Sequence, residues 1–197
     1  MSEAIRAPER KYTYHDYRGW PEEERWELID GIAYDMSPAP SRKHQGLSRE
    51  IGKPIVDHLS GKPCQVYFAP FDVRLPRFTD EPDDAVETVV QPDIVVVCDT
   101  TKLDDRGARG APDWIIEILS PSTAVKDLKI KQELYERHGV RELWFVHPTD
   151  RTVMVFVLGT DGAFSKPRFH GPEEKVRSAV LTDLEIDLKA VFEAAEI

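Results

Sequence analysis

The chain has almost no cysteine, no long apolar run, no internal repeat and a shortage of positive charge, and each lack excludes a class of protein. Cys64 and Cys98 are the two cysteines among 197 residues. They stand far apart and without metal-ligand spacing, so the sequence predicts neither a disulfide framework nor a zinc site and fits a reducing compartment. No apolar segment approaches the roughly 20 residues of a membrane span, and the stretch from Met1 to Lys11 is polar and charged rather than a leader with an apolar core. The expectation is a cytoplasmic protein with no membrane partner. Lys and Arg number 26 against 36 Asp and Glu, a formal net charge of -10. Such a balance argues against a general nucleic-acid coat, whose affinity comes largely from basic contacts to phosphate. It leaves room for a metal-dependent nuclease, which concentrates carboxylates at its centre and needs only a local basic rim. Lys126, Lys129, Lys131, Arg137 and Arg141 cluster in one stretch and supply a candidate rim, or simply a solvated helix face.

With 41% hydrophobic residues, the chain is rich enough for one sizeable core, and residues 1–197 are expected to form one domain. Thr13 with Asp16 resembles a capping box opening a short helix. Asp30-Gly31, between apolar runs at 26–29 and 32–36, predicts a tight hairpin. Leu47, Ile51, Ile55 and Leu59 recur at helical spacing over 41–59, with Pro54 expected to kink or divide that helix. Residues 65–75, 93–98 and 114–119 are rich in β-branched or aromatic side chains and read as strands. The Pro-rich, acidic segment 76–84 and the polar segment 99–110 read as loops. Ser122 or Thr123 can cap a helix to His138, with Gly139 at its left-handed end. Strands at 143–146 and 152–158 and a helix at 184–195 close a mixed α/β (α+β) pattern with a partly antiparallel sheet.

Two Pro-Asp pairs precede apolar strands, at Asp93 and Asp113. If the strands at 93–98 and 114–119 are antiparallel neighbours, the start of one lies beside the end of the other and Asp93 meets Glu117. Asp113, four residues before Glu117 on the same strand, lies roughly 13 Å away and is too far to share a cation with it. Glu117 interrupts an otherwise apolar strand, where an ionised group calls for a partner or a metal. Lys131 projects into the helical arc of Ala124, Leu128, Leu134 and Tyr135, the face expected to pack on the sheet, where a lysine needs an anion. Each residue also has a plainer reading: a solvent-facing strand acid for Glu117, a strand-start cap for Asp93, and a surface pair with Asp127 for Lys131. Ser120 and Ser122 lie in a strand-to-helix turn, but without a Gly-x-Ser-x-Gly elbow helix capping explains them.

Pro92-Asp93 followed by Glu117-Ile118-Leu119 resembles the PD-(D/E)XK nuclease signature, with Leu119 standing where that pattern has lysine. The wider set is similar to the Uma-two family, a bacterial endonuclease-like group. It comprises residues 26–31, Ser37-Pro38 with His44, residues 90–97, 111–113 and 117–123, Asp127 with Lys131 and Tyr135, and residues 139–144. The resemblance implies a restriction-endonuclease-like core, a central mixed sheet flanked by helices and preceded by a β-hairpin. It implies that the missing lysine is relocated to Lys131, and that Glu27 and His44 face the same cleft as an added carboxylate and a polar or phosphate contact. The implied activity is metal-assisted phosphodiester hydrolysis, with Asp93, Glu117 and the Ile118 carbonyl holding Mg²⁺ or Mn²⁺ and Lys131 assisting the water. The implied partner is nucleic acid, DNA ahead of RNA, and a homodimer is compatible. The competing class is an inactive binding or scaffold module that keeps the fold.

Overall fold

The computed structural model describes residues 10–21, 23–36, 39–120 and 127–195. Helix α1 (Tyr14–Tyr17) opens where the Thr13 N–H donates to the Asp16 carboxylate at 3.0 Å. Strands β1 (Trp26–Ile29) and β2 (Ile32–Asp35) form the expected hairpin, with Asp30 and Gly31 at φ of 51° and 81°. Both angles lie in the left-handed region that an Asp-Gly turn tolerates. Helix α2 (Arg42–Leu59) begins at Ser41, whose Oγ accepts from the His44 N–H. It continues through Pro54 instead of dividing there. The buried row Leu47, Ile51, Ile55 and Leu59 anchors both halves and offsets the one backbone hydrogen bond that proline removes.

The single strand expected over 65–75 is two strands, β3 (Gln65–Phe68) and β4 (Val73–Arg74), in different sheets. Pro70, which has no N–H to give a ladder, falls between them. After β5 (Val89–Val90) and β6 (Ile94–Val97), the segment expected as loop holds a small hairpin, β7 (Leu103–Asp104) and β8 (Gly107–Arg109). Gly107 has φ of 120°, and a Cβ there would stand 2.1 Å from the Asp72 carbonyl oxygen. Strand β9 (Trp114–Ile118) follows. The proposed caps Ser122 and Thr123 lie outside the described residues, as does Lys126. A π-helical turn, Asp127–Lys131, leads into α3 (Gln132–His138), which ends at Gly139 with φ of 82°. Next come β10 (Glu142–His147), β11 (Thr152–Val157), β12 (Arg168–His170), β13 (Lys175–Arg177) and β14 (Glu185–Asp187). The final helix, α4 (Leu188–Ala195), starts later than expected because Ile186 is paired with Val176 in a two-stranded ribbon.

Among the described residues the strands make one sheet ordered β2-β1-β5-β4-β8-β7 and another ordered β12-β11-β10-β9-β6-β3. The second is the central mixed sheet, with β9 antiparallel to β6 and parallel to β10. Alternation assigns its two faces. Ile94, Val96, Ile116 and Ile118 pack toward α2 and α4, whereas Val95, Val97, Ile115 and Leu119 pack toward α3 and the first sheet. Among the described residues no helix is long and apolar enough to cross a membrane.

The pairing of β3 with β6 matches Gln65 to Val97, so one step further Cys64 lies opposite Cys98. The two form a disulfide, which corrects the expectation drawn from their sequence separation of 34. Distance along the chain says nothing about cysteines that strand register makes neighbours. Unfolded but unreduced protein should therefore show no free thiol toward a chromogenic thiol reagent, and reduction should lower stability by up to about 3–4 kcal/mol. Two titratable thiols before reduction would show that the crosslink does not form.

Candidate active site

Glu117 lies on the face of β9 that looks toward α3, because it stands two residues from both Ile115 and Leu119, which share that face. It is 4% exposed. Its Oε1 accepts from the Lys131 ammonium at 2.9 Å and from the Tyr135 hydroxyl at 2.6 Å. Lys131, the last residue of the π-helical turn, and Tyr135 of α3 sit four residues apart, so both reach one acceptor. The same ammonium lies 2.7 Å from Oε1 of Glu27, which is fully buried on β1. Glu27 also accepts from the Gln91 N–H at 3.2 Å. Burial and the neighbouring Glu117 charge push the Tyr135 phenol well above its usual range, which keeps it a hydrogen-bond donor.

Asp93 stands just before β6, where register carries it opposite Glu117. Its Oδ2 takes the place of a ladder carbonyl and accepts the Ile118 N–H at 2.7 Å, one residue from Glu117. The same oxygen lies 3.3 Å from Nε2 of His44, in the first turn of α2. Burial opposes charge on that imidazole, but the hydrogen bond and negative charge of Asp93 outweigh it, aided by the Ile118 backbone, and the His44 pKa stands above the ordinary 6.5. Lys131 thus joins Glu117 to Glu27, while Asp93 is held by His44 and the sheet backbone. The two groups meet at residues 117–118.

Asp113 is placed apart. Its carboxylate accepts from the Cys98 N–H at 2.7 Å and from Arg141 at 2.9 Å, a strand-end tie between β6, β9 and β10. The expected basic rim also changes. Lys131 is buried at the carboxylates, Arg137 pairs with Asp30, and Arg141 pairs with Asp113. Basic side chains instead line a cleft of about 420 Å³, Arg25 together with His44, Arg49 and Lys53 of α2, alongside the carboxylates of Asp57 and Asp93.

A family model described as "Putative restriction endonuclease", Uma2, matches residues 13–189. The chain belongs to the Uma2 family. It is 27% identical over 159 residues to "Uncharacterized protein slr1290" of Synechocystis sp. (strain ATCC 27184 / PCC 6803 / Kazusa), covering 79% of each chain. A solved structure titled as a "putative nuclease belonging to DUF820 from Anabaena variabilis ATCC 29413" superposes with a TM-score of 0.73 at 21% identity. The match covers 93% of this chain and 98% of that one. The fold is thus shared with that structure, in keeping with the mixed sheet flanked by helices.

Among the described residues of this Uma2 protein no three His, Cys, Asp or Glu side chains form a ready-made metal cluster. The donor chemistry nevertheless fits a hard divalent cation, since Asp93 and Glu117 offer carboxylate oxygens at adjacent strand positions. Sequence reasoning had passed over Tyr135 as a functional group, although its spacing from Lys131 puts both on one helical face. It also missed Gln91. The side-chain amide of Gln91 donates to Asp72 and Tyr17, and its oxygen accepts from Arg25. No local pattern marks a glutamine as the hub of such a network.

Two outcomes follow from this electrostatics. Lys131→Met leaves Glu27 and Glu117 buried without their shared cation and should cost about 3–5 kcal/mol in chelator, against under about 1 kcal/mol for an exposed pair. Urea titration separates these. For His44, the raised folded pKa means that its contribution is complete below the unfolded value and is lost as pH rises through the folded one. The stability gap between metal-free wild type and His44→Gln should therefore be full below the ordinary imidazole value of about 6.5 and shrink as pH rises above it. A gap that widens with pH would contradict the protonated His44–Asp93 pair.

Proposed function

We propose that the protein is a metal-dependent nuclease that hydrolyses phosphodiester bonds of nucleic acid, with Asp93, Glu117 and Lys131 as its catalytic residues. The observation that carries this reading is the buried Lys131 ammonium shared by Glu27 and Glu117, one residue from the point where Asp93 grips the Ile118 N–H. Asp93 and Glu117, with the Ile118 carbonyl, would hold Mg²⁺ or Mn²⁺. Such an ion, when bound, supplies Lewis-acid charge to a phosphate oxygen and to the attacking water. Lys131 stabilises negative charge on the phosphate and orients that water. As an ammonium flanked by two carboxylates it acts by charge and hydrogen bonding rather than as a base. Tyr135 fixes the rotamer of Glu117, and Glu27 holds Lys131 in place. His44 steadies Asp93 from the side of the basic cleft.

Purified full-length protein would be assayed on single-stranded and duplex DNA and RNA with Mg²⁺ or Mn²⁺, with metal binding measured by calorimetry. Asp93→Asn should abolish metal binding and cleavage, whereas Asp113→Asn should keep both while losing stability. Lys131→Met, checked for native secondary structure, should cleave about 10² to 10⁴ times more slowly. Lys129→Met, an exposed neighbour, should match wild type. Equal losses at Asp93 and Asp113 would identify the wrong Pro-Asp pair, and cleavage unaffected by Lys131→Met would remove the lysine from the mechanism. No metal binding and no hydrolysis would leave a nucleic-acid-binding module on a nuclease fold.

A further inference from the structure

The cleft beside Asp93 contains more than positive charge. Phe68 is the last residue of β3, paired with Ile94, and the Ala69 N–H donates to the Asp93 carbonyl at 3.1 Å. Its ring therefore stands on the strand next to the candidate active site. Phe68 is 38% exposed and Val56 of α2 is 46% exposed, two of the large apolar side chains that the surface does not cover, and both line this cleft. Gly52 makes room for the ring. A Cβ at that position would lie 2.2 Å from Phe68 Cε1 and 2.5 Å from Cζ, so the edge of the ring rests directly on the α2 backbone. The rest of its surface remains partly open to the cleft.

Charge is arranged around that ring. Arg49, which pairs with Glu50 at 2.7 Å, and Lys53 are one helical turn apart on the exposed side of α2, Arg25 enters from the hairpin side, and Asp57 adds an acidic side chain to that helix face of the cleft. The Arg25 Nε is buried with no hydrogen-bond partner among the described residues. The cleft thus joins an aromatic platform and an aliphatic wall to three basic side chains, next to the carboxylate proposed to act on a phosphodiester. That is the combination by which proteins hold unpaired nucleotides: stacking on the base and ionic contacts to its flanking phosphates. Its volume of about 420 Å³ falls within the range of about 300–1,000 Å³ usual for sites that enclose small ligands.

We propose that this cleft binds one unpaired nucleobase of a nucleic-acid strand, stacked on Phe68, with Arg49, Lys53 and Arg25 on the adjoining phosphates, so that the protein selects single-stranded over duplex substrate. The proposal rests on the nuclease reading for the role of the neighbouring phosphodiester, but base binding can be measured without cleavage. Fluorescence anisotropy in chelator would compare labelled twelve-residue dT and U strands with a twelve-base-pair duplex. A 2-aminopurine placed within the strand would report stacking. Wild type should bind the strands more tightly than the duplex and quench the 2-aminopurine. Phe68→Ala should weaken strand binding about tenfold and abolish the quench, the size expected for losing one stacked base. Phe68→Trp should retain both. Lys53→Glu should weaken strand binding and flatten its salt dependence while leaving Phe68 in place. Phe169→Ala, at a 65% exposed aromatic outside this cleft, serves as the control and should match wild type. Strand binding and quenching unchanged in Phe68→Ala, or tighter binding to duplex than to strand, would overturn the proposal. Hydrolysis by the same preparations with Mn²⁺ distinguishes the two readings. Phe68-dependent binding without cleavage retains the base site and removes the nuclease, whereas cleavage indifferent to Phe68 retains the nuclease and removes the base site.

Discussion

The Lys131 ammonium lies between Glu27 of the hairpin and Glu117 of the central sheet, and three separate pieces of chain meet there. Removing these charges from water is costly, and the ion pairs recover that cost only while all three side chains stay in place. The cluster therefore contributes less to net stability than to geometry. A slip of β1 by one residue would withdraw Glu27 and turn its face outward. A turn of α3 would carry Lys131 and Tyr135 away together. The first sheet, the helix and the central strand are bound to one arrangement by the penalty for leaving any of these charges alone.

This arrangement keeps two kinds of surface distinct and close together. On one face of β9 the carboxylates and lysine are enclosed by α3 and the first sheet. Beside them, Asp93 and His44 line a cleft with basic and aromatic walls. The Ile118 N–H bonded to Asp93 connects them through the sheet backbone. Local placement also reconciles a net charge of -10 with the polyanionic substrate proposed above. Potential in a cleft depends on the charges that line it, while distant surface carboxylates are screened over a Debye length of roughly 10 Å.

Much of this was legible in the sequence because it depends on local rules. Asp-Gly dictated a tight hairpin, Ser41 opened α2, and Gly139 ended α3, each through the backbone angles or caps that those residues favour. Antiparallel pairing of two recognisable strands was enough to bring Asp93 opposite Glu117 and to set Asp113 apart. Helical periodicity was enough to turn Lys131 inward. Where the structure differs, a nonlocal contact has overridden the local signal: Pro54 does not divide its helix, whose buried face spans it, and residues 65–75 split because their two halves pair in different sheets.

The sequence by itself determined which residues carry charge in apolar surroundings, and therefore which of them require partners. Only the tertiary structure decided which partners these are. It gave Lys131 to Glu27 and Glu117, gave Asp93 to His44, joined Cys64 to Cys98, and moved the basic rim from α3 to α2. The physical reason is that burial and periodicity are properties of a single segment, whereas an ion pair, a disulfide or a cleft depends on the register and packing of segments far apart in the chain.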